Sequence, residues 1–180
     1  MKIKTADKIT IVRIAVAEIS FIFFISGYLK TGLSLFLAAV ILDIIDGRVA
    51  RMLKQDSREG VLLDVMADKI IIISAFLTAG VKINFVFFYL GLLMLLRENS
   101  MDAMRFITIL KGQAVLTDRL SKTKYILYIV SVLGIMVNAA FLDNNLYLQN
   151  IVAVFAIVVM VFAYVTWVRF FILNKKSIVQ

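Results

Sequence analysis

Residues 42–69 read LDIIDGRVARMLKQDSREGVLLDVMADK, and this stretch decides how the chain is interpreted. It follows the spacing D-x2-D-G-x2-A-R, x8, G-x3-D-x3-D, in which the four acids are Asp43, Asp46, Asp64 and Asp68. The apolar flanks predict helices, and spacings of three and four residues place the two acids of each pair on one helix face. Two such faces opposed would form a carboxylate pocket that requires divalent cations. The alternative is snorkelling from helix ends, which is common for one acid and rare for four at these spacings.

The composition predicts a membrane protein. The 180 residues are 62% hydrophobic, with a mean hydropathy of +0.97, which is too apolar for an ordinary soluble globule. A transmembrane helix needs about 20 mainly apolar residues. Six stretches qualify, near Ile9–Leu29, Leu33–Met52, Gly60–Val81, Ile83–Met104, Tyr125–Phe141 and Leu146–Leu173. We therefore expect an all-α polytopic membrane protein with six transmembrane helices, built as one domain over residues 1–180.

The net charge of +8 follows a membrane topology and does not indicate a nucleic-acid partner. The basic residues gather at the two termini and in two of the five connections: Lys2, Lys4, Lys8 and Arg13; Arg48, Arg51, Lys54 and Arg58; Arg97, Arg105, Lys111, Arg119, Lys122 and Lys124; Arg169, Lys175 and Lys176. The positive-inside rule then places both termini and the aspartates on the cytosolic side of the cell membrane. Basic rims of this kind also attract anionic lipid headgroups.

The chain contains neither cysteine nor histidine. Disulfide, thiolate and imidazole chemistry are therefore excluded, and so are zinc sites built on these ligands. A general base in this protein has to be Asp, Glu, Lys or Tyr.

Eight positions of the opening stretch resemble the signature of the CDP-alcohol phosphatidyltransferases: Asp43, Asp46, Gly47, Ala50, Arg51, Gly60, Asp64 and Asp68. The resemblance implies that the four aspartates hold two ions of Mg²⁺, or of Mn²⁺, and that Asp68 is also the base. It implies that Gly47, Ala50 and Gly60 let the nucleotide of CDP-diacylglycerol approach the helices, with Arg51 beside the diphosphate. Taken alone, small residues also fit close helix packing, and an arginine there could neutralise a carboxylate.

A second pattern lies further along the chain. Residues 95–105 read LLRENSMDAMR and contain R-E-x6-R, with Arg97 and Arg105 about two helical turns apart on one face. Residues 121–125, SKTKY, supply Lys122 and Lys124. Both elements resemble those of the phosphatidylglycerophosphate synthases of this family, and together the four cations would hold the phosphate of glycerol 3-phosphate. The alternative for these residues is positive-inside anchoring.

The resemblance implies an enzyme of phospholipid synthesis. It would transfer the phosphatidyl group from CDP-diacylglycerol to glycerol 3-phosphate, release CMP, and work as a homodimer among membrane lipids. Two alternatives stay open. The acceptor could be phosphatidylglycerol or an inositol phosphate, or the chain could be a divalent-cation transporter, since aspartates within apolar helices also mark ion pathways. The lack of proline and of an evident repeat disfavours transport.

Overall fold

The structure is a computed structural model that describes residues 5–52, 58–111 and 120–179. Side chains are described at residues 8–45, 60, 63–111 and 123–175. Within these ranges the regular structure is six α-helices: α1 (Thr5–Ile25), α2 (Leu29–Met52), α3 (Arg58–Lys82), α4 (Phe85–Leu110), α5 (Leu120–Phe141) and α6 (Leu146–Val179). The expectation of an all-α chain with six helices is confirmed.

The first turn of the chain comes earlier than its hydropathy predicts. The apolar pattern runs on to Leu29, but α1 ends at Ile25 because Gly27 has φ = +94°, a left-handed conformation that suits glycine. The Tyr28 N–H donates to Phe23 O (3.0 Å) and the Gly27 N–H to Phe24 O (3.2 Å), which is the Schellman pattern of a helix end. The chain reverses there, and α2 begins four residues before the predicted Leu33.

Helix α1 lies between the two helices that carry the aspartates. It packs on α2 and on α3, while α3 also packs on α4 and α5, α5 packs on α2, and α6 packs on α4 and α5. Among the described residues, α2 and α3 therefore do not pack directly on each other. Both helices pack on α1 and on α5. The acidic faces of α2 and α3 meet across α1, which the sequence interpretation did not include in the site.

Two helices are long and apolar enough to cross a membrane by length and composition alone. Among the described residues these spans are Thr123–Phe141 in α5 and Leu146–Lys175 in α6. The described parts of α1, α3 and α4 contain charged side chains of the sites described below. Their outer faces are nevertheless apolar, as Ile22, Leu96 and Ile109 show with exposures of 64%, 65% and 61%. Apolar surface on this scale is typical of a protein that contacts lipid.

The hairpin of α3 and α4 requires a residue without a side chain at position 80. A Cβ atom on Gly80 would lie 2.4–2.5 Å from the backbone N and Cα and the Cβ of Phe88. We expect Gly80→Ala to lower the stability by about 1–3 kcal/mol, because backbone atoms cannot move aside without parting the helices. The measurement is the melting temperature of the detergent-solubilised protein.

Gly134→Ala is the matched control. A Cβ at Gly134 would meet only the methyl groups of Val152, at 3.3 and 3.5 Å, and a side chain can adjust. Its effect should stay below about 1 kcal/mol, since alanine also favours the helix. Equal losses of melting temperature for the two variants would contradict the close contact at Gly80.

Candidate active site

Three of the four predicted aspartates form a cluster. Asp43 comes from α2, and Asp64 and Asp68 come from consecutive turns of α3, so each offers a carboxylate oxygen within 4.8 Å of the other two. Their side chains are 37–48% exposed, which leaves the cluster open to solutes on one side. Carboxylate oxygens are the ligands that Mg²⁺ prefers in proteins. The donor set therefore suits a hard divalent cation.

Arg13 lies among these three carboxylates. This α1 residue is 1% exposed, and its Nη2 donates to Asp64 Oδ1 at 2.9 Å and to Asp68 Oδ1 at 3.1 Å. Its Nη1 forms an ion pair with Asp43 Oδ1. One guanidinium thus offsets part of three negative charges and leaves a formal charge of −2 among the described members. Sequence reasoning counted Arg13 among the basic residues near the N-terminus and singled out the stretch ITIVR, but it did not place Arg13 at the aspartates. An arginine within the apolar run ITIVRIAVA already indicates a paired charge.

A small cavity of about 30 Å³ adjoins the cluster on its inner side. It is bounded by charged groups at one end and by apolar side chains elsewhere: Arg13, Asp43 and Asp68; Phe36, Ala39, Val40, Ile71, Ile72 and Ile129. A water molecule needs roughly 10–15 Å³ of such space, so the cavity has room for about two. The carboxylates therefore border both the exposed surface and a narrow space inside the bundle.

The remaining predicted positions of the aspartate motif are less completely described. Asp46, Gly47, Ala50 and Arg51 lie in the last two turns of α2, but their side chains lie outside the described ones. The same holds for Lys122 in α5. Gly60 is partly buried in the first turn of α3, one turn before Asp64. The roles predicted for these six residues stay predictions.

A second charged cluster centres on Glu98 of α4, which is 2% exposed. Its Oε1 accepts a hydrogen bond from Lys124 Nζ of α5 at 2.6 Å and another from Arg97 of α4, and its Oε2 accepts from the Tyr125 hydroxyl at 3.3 Å. Arg97 is 1% exposed and also donates to Ala163 O (3.1 Å) and Thr166 Oγ1 (3.0 Å) of α6. The cluster ties α4, α5 and α6 together.

Lys69 and Asp102 extend this cluster toward the aspartates. Lys69 Nζ donates to both carboxylate oxygens of Asp102, at 2.6 and 2.5 Å, and lies 3.8 Å from Glu98 Oε2. Arg105 lies 3.6 Å from Asp102 and stacks on the ring of Phe170, 5.7 Å from its centroid. Four cations and two anions leave this group, Lys69, Arg97, Glu98, Asp102, Arg105 and Lys124, with a formal charge of +2. We call it the basic cluster.

The basic cluster contains three of the four cations predicted to bind an acceptor phosphate. Arg97 and Lys124 are buried and directed at Glu98, whereas the side chain of Arg105 is 30% exposed. Sequence reasoning noted Glu98 only as a letter of the R-E-x6-R pattern and did not use Asp102. An acid placed beside an arginine in an apolar stretch is the feature that indicates such a pair.

The two clusters adjoin in α3. Asp68 belongs to the anionic group around Arg13, and the next residue, Lys69, belongs to the basic cluster. The aspartates with Arg13, at a formal charge of −2, are thus next to the basic cluster, at a formal charge of +2. This arrangement can hold a cation and an anionic group side by side, which a reaction between two phosphorylated molecules at a metal requires.

Comparison with known proteins agrees with this geometry. The family model for CDP-alcohol phosphatidyltransferase matches residues 3–168, nearly the whole chain. The chain belongs to the CDP-alcohol phosphatidyltransferase family. Members are membrane enzymes of phospholipid synthesis that transfer a phosphatidyl group from a CDP-alcohol to an acceptor, and they typically use divalent metal ions. No curated protein sequence matches the chain.

Glu98 should contribute more to stability than any exposed acid. Glu98→Gln removes the anion that offsets two buried cations, Arg97 and Lys124, and leaving charge uncompensated in such a place costs about 3–5 kcal/mol. We expect a large fall in the melting temperature of the detergent-solubilised protein. The control is Asp143→Asn, in the exposed turn after α5, which should change little. A Glu98→Gln protein as stable as the control would show that the ion pairs do not hold α4 to α5.

Proposed function

We propose that the protein transfers the phosphatidyl group of CDP-diacylglycerol to glycerol 3-phosphate, forming phosphatidylglycerophosphate and releasing CMP. The family supplies the reaction class, and the proposal adds the donor and the acceptor. The observation that carries it is the position of the basic cluster, with its formal charge of +2, directly beside the aspartates. A phosphomonoester carries about two negative charges at neutral pH and binds best to arginine and lysine. The R-E-x6-R resemblance favours glycerol 3-phosphate over an inositol phosphate.

The aspartates would hold the metal, as two ions of Mg²⁺ or Mn²⁺. The three described carboxylates fit this role, because ligand oxygens on one Mg²⁺ lie within about 4.2 Å of each other and these already lie within 4.8 Å. Asp46 would be the fourth ligand. When bound, the metal supplies positive charge that neutralises the diphosphate. We propose that Gly47, Ala50 and Gly60 accommodate the cytidine nucleotide and that Arg51 holds its diphosphate.

Asp68 is the proposed general base. Its carboxylate takes the proton of the primary hydroxyl of glycerol 3-phosphate, and the hydroxyl oxygen bonds to the phosphorus that carries diacylglycerol. The bond from that phosphorus to the oxygen of CMP breaks, and CMP leaves with the electron pair. The position of Asp68 supports this role, since its neighbour Lys69 belongs to the basic cluster where the acceptor phosphate would bind. With no histidine in the chain, a carboxylate is the best available base near neutral pH.

The acceptor phosphate would be bound by Arg97, Arg105, Lys122 and Lys124. Arg105 is the most exposed of the three whose side chains are described, so we propose that it makes the first contact. Arg97 and Lys124 donate hydrogen bonds to Glu98. They would act without direct contact, by maintaining a positive potential where the acceptor phosphate binds. Positive potential of this kind attracts an anion before any direct contact forms.

We further propose that all six helices span the cytoplasmic membrane as one domain, with both termini cytosolic, in a homodimer. Each helix has at least 21 residues and is therefore at least about 31 Å long, enough for a hydrocarbon core of about 30 Å. Asp64 lies six residues after the start of α3, a depth of about 9 Å along the helix. A site at that depth is reached by water-soluble acceptors while the acyl chains of the donor remain in the bilayer.

The acceptor is tested by CMP release from purified protein supplied with CDP-diacylglycerol and Mg²⁺. We expect release with glycerol 3-phosphate and little with inositol 1-phosphate, serine or phosphatidylglycerol. Arg105→Gln should raise the KM for glycerol 3-phosphate about tenfold, the effect of losing one charged hydrogen bond. The KM for CDP-diacylglycerol should stay unchanged.

Lys175→Gln is the control for Arg105, because it removes a cation from an exposed position near the end of α6. It should leave both KM values as they are. Release with a different acceptor would replace glycerol 3-phosphate and keep the aspartate mechanism. Release with none of them, from folded protein, would reject the proposed donor or the proposed acceptors.

Asp68→Asn tests the base. The variant should lose at least about 100-fold in kcat, the usual contribution of a positioned base, while Asp143→Asn keeps normal turnover. Mn²⁺ binding to Asp68→Asn, followed by electron paramagnetic resonance, separates loss of the base from loss of the metal. Near-normal turnover with metal still bound would reject Asp68 as the base.

A further inference from the structure

Arg13 occupies the place that a metal ion bound by the same aspartates would need. It is 1% exposed, and its guanidinium contacts one oxygen from each of Asp43, Asp64 and Asp68. Those three side chains are also the ones that can gather around one cation. A guanidinium and a divalent ion would both bind these three carboxylates, and their positive charges repel at such short range. Full contact of both with the three carboxylates at once is therefore unfavourable.

We propose that Arg13 is an exchangeable counter-ion of the aspartate cluster, which a divalent cation displaces when it binds. In this role Arg13 holds the carboxylates of α2 and α3 together while the metal is absent. Three carboxylates with no cation among them would repel one another, and the repulsion would drive α2 and α3 apart. Arg13 thus makes the metal-free protein stable, at the expense of weaker metal binding.

The formal charge of the four aspartates suits two divalent ions best when Arg13 is not among them. With Arg13 in contact, the four aspartates of the sequence motif carry a net formal charge of −3, which the +4 of two divalent ions exceeds. Without it, the four aspartates of the sequence motif carry −4, which two divalent ions balance. The two-ion site of the proposed function therefore fits the aspartates best when Arg13 has moved away.

A displaced guanidinium needs another anion, because Arg13 lies within an apolar helix where an unpaired charge is costly. A diphosphate offers planar, bidentate acceptors that match an arginine. Arg13 would then pass from the aspartates to a phosphate of the CDP-alcohol. This last step and the two-ion count rest on the proposed function, whereas the exchange of Arg13 for one divalent cation does not.

The test compares Mn²⁺ binding by full-length wild-type, Arg13→Gln, Arg13→Lys and Lys175→Gln proteins in detergent. Titration calorimetry gives the affinity, and the melting temperature is measured in EDTA and in saturating Mn²⁺. We expect Arg13→Gln to bind Mn²⁺ at least about tenfold more tightly than wild type, because it removes the charged hydrogen bonds that the metal has to break. Arg13→Lys should fall between the two, since one ammonium cannot bridge three carboxylates as a guanidinium does. Lys175→Gln, which removes a cation far along α6, should bind as wild type does.

The melting temperatures distinguish exchange from a purely structural role. Exchange predicts that Arg13→Gln is much less stable than wild type in EDTA and regains most of the difference in Mn²⁺. Equal or weaker Mn²⁺ binding by Arg13→Gln, or the same loss of stability with and without metal, would overturn the proposal. If Arg13→Gln does not fold in either condition, Arg13→Lys decides by the same criterion. Neither Mn²⁺ binding nor the melting temperature depends on CMP release, so these measurements can support the exchange even if the proposed acceptor or donor is wrong.

Discussion

The contact of Arg13 with three aspartates is the interaction on which the rest of the site depends. It joins α1 to Asp43 of α2 and to Asp64 and Asp68 of α3, two helices that meet through α1 and α5 in the described part of the chain. Ionised carboxylates repel one another, and a cation between them lets them lie this close. Charge neutralisation thus determines how three helices pack, in addition to the apolar contacts that hold the bundle.

The basic cluster obeys the same constraint with the signs reversed. There a buried anion, Glu98, lies among Arg97, Lys124 and Lys69 and connects α3, α4 and α5, while Arg97 also reaches α6. Each half of the site therefore centres on one buried side chain of the opposite sign, Arg13 among the aspartates and Glu98 among the cations. Such a side chain lowers the cost of burying like charges close together. A binding site inside apolar helices can in this way be folded before its ligands arrive.

Much of the fold was predictable from the chain alone. Six apolar stretches predicted six helices, and α3 to α6 begin and end within a few residues of the predicted positions except where α4 and α6 continue beyond them. The exception at the first turn has a local cause, since Gly27 ends α1 through its left-handed backbone, four residues before the predicted end at Leu29. Hydropathy averages over many residues, so it does not detect a single residue that reverses the chain. Composition alone also identifies only α5 and α6 as possible spans among the described residues, where α1, α3 and α4 carry more charged side chains.

The sequence by itself determined the chemistry of the site: the aspartates at helical spacing, the cations of R-E-x6-R, and the absence of histidine and cysteine. These follow from residue identity and from the period of a helix, both of which are local. Only the tertiary structure decided which residues neutralise them, because Arg13 lies 51 residues from Asp64, and Lys124 lies 26 residues from Glu98. Such pairs depend on which helices become neighbours, and spacing along the chain carries no information about that.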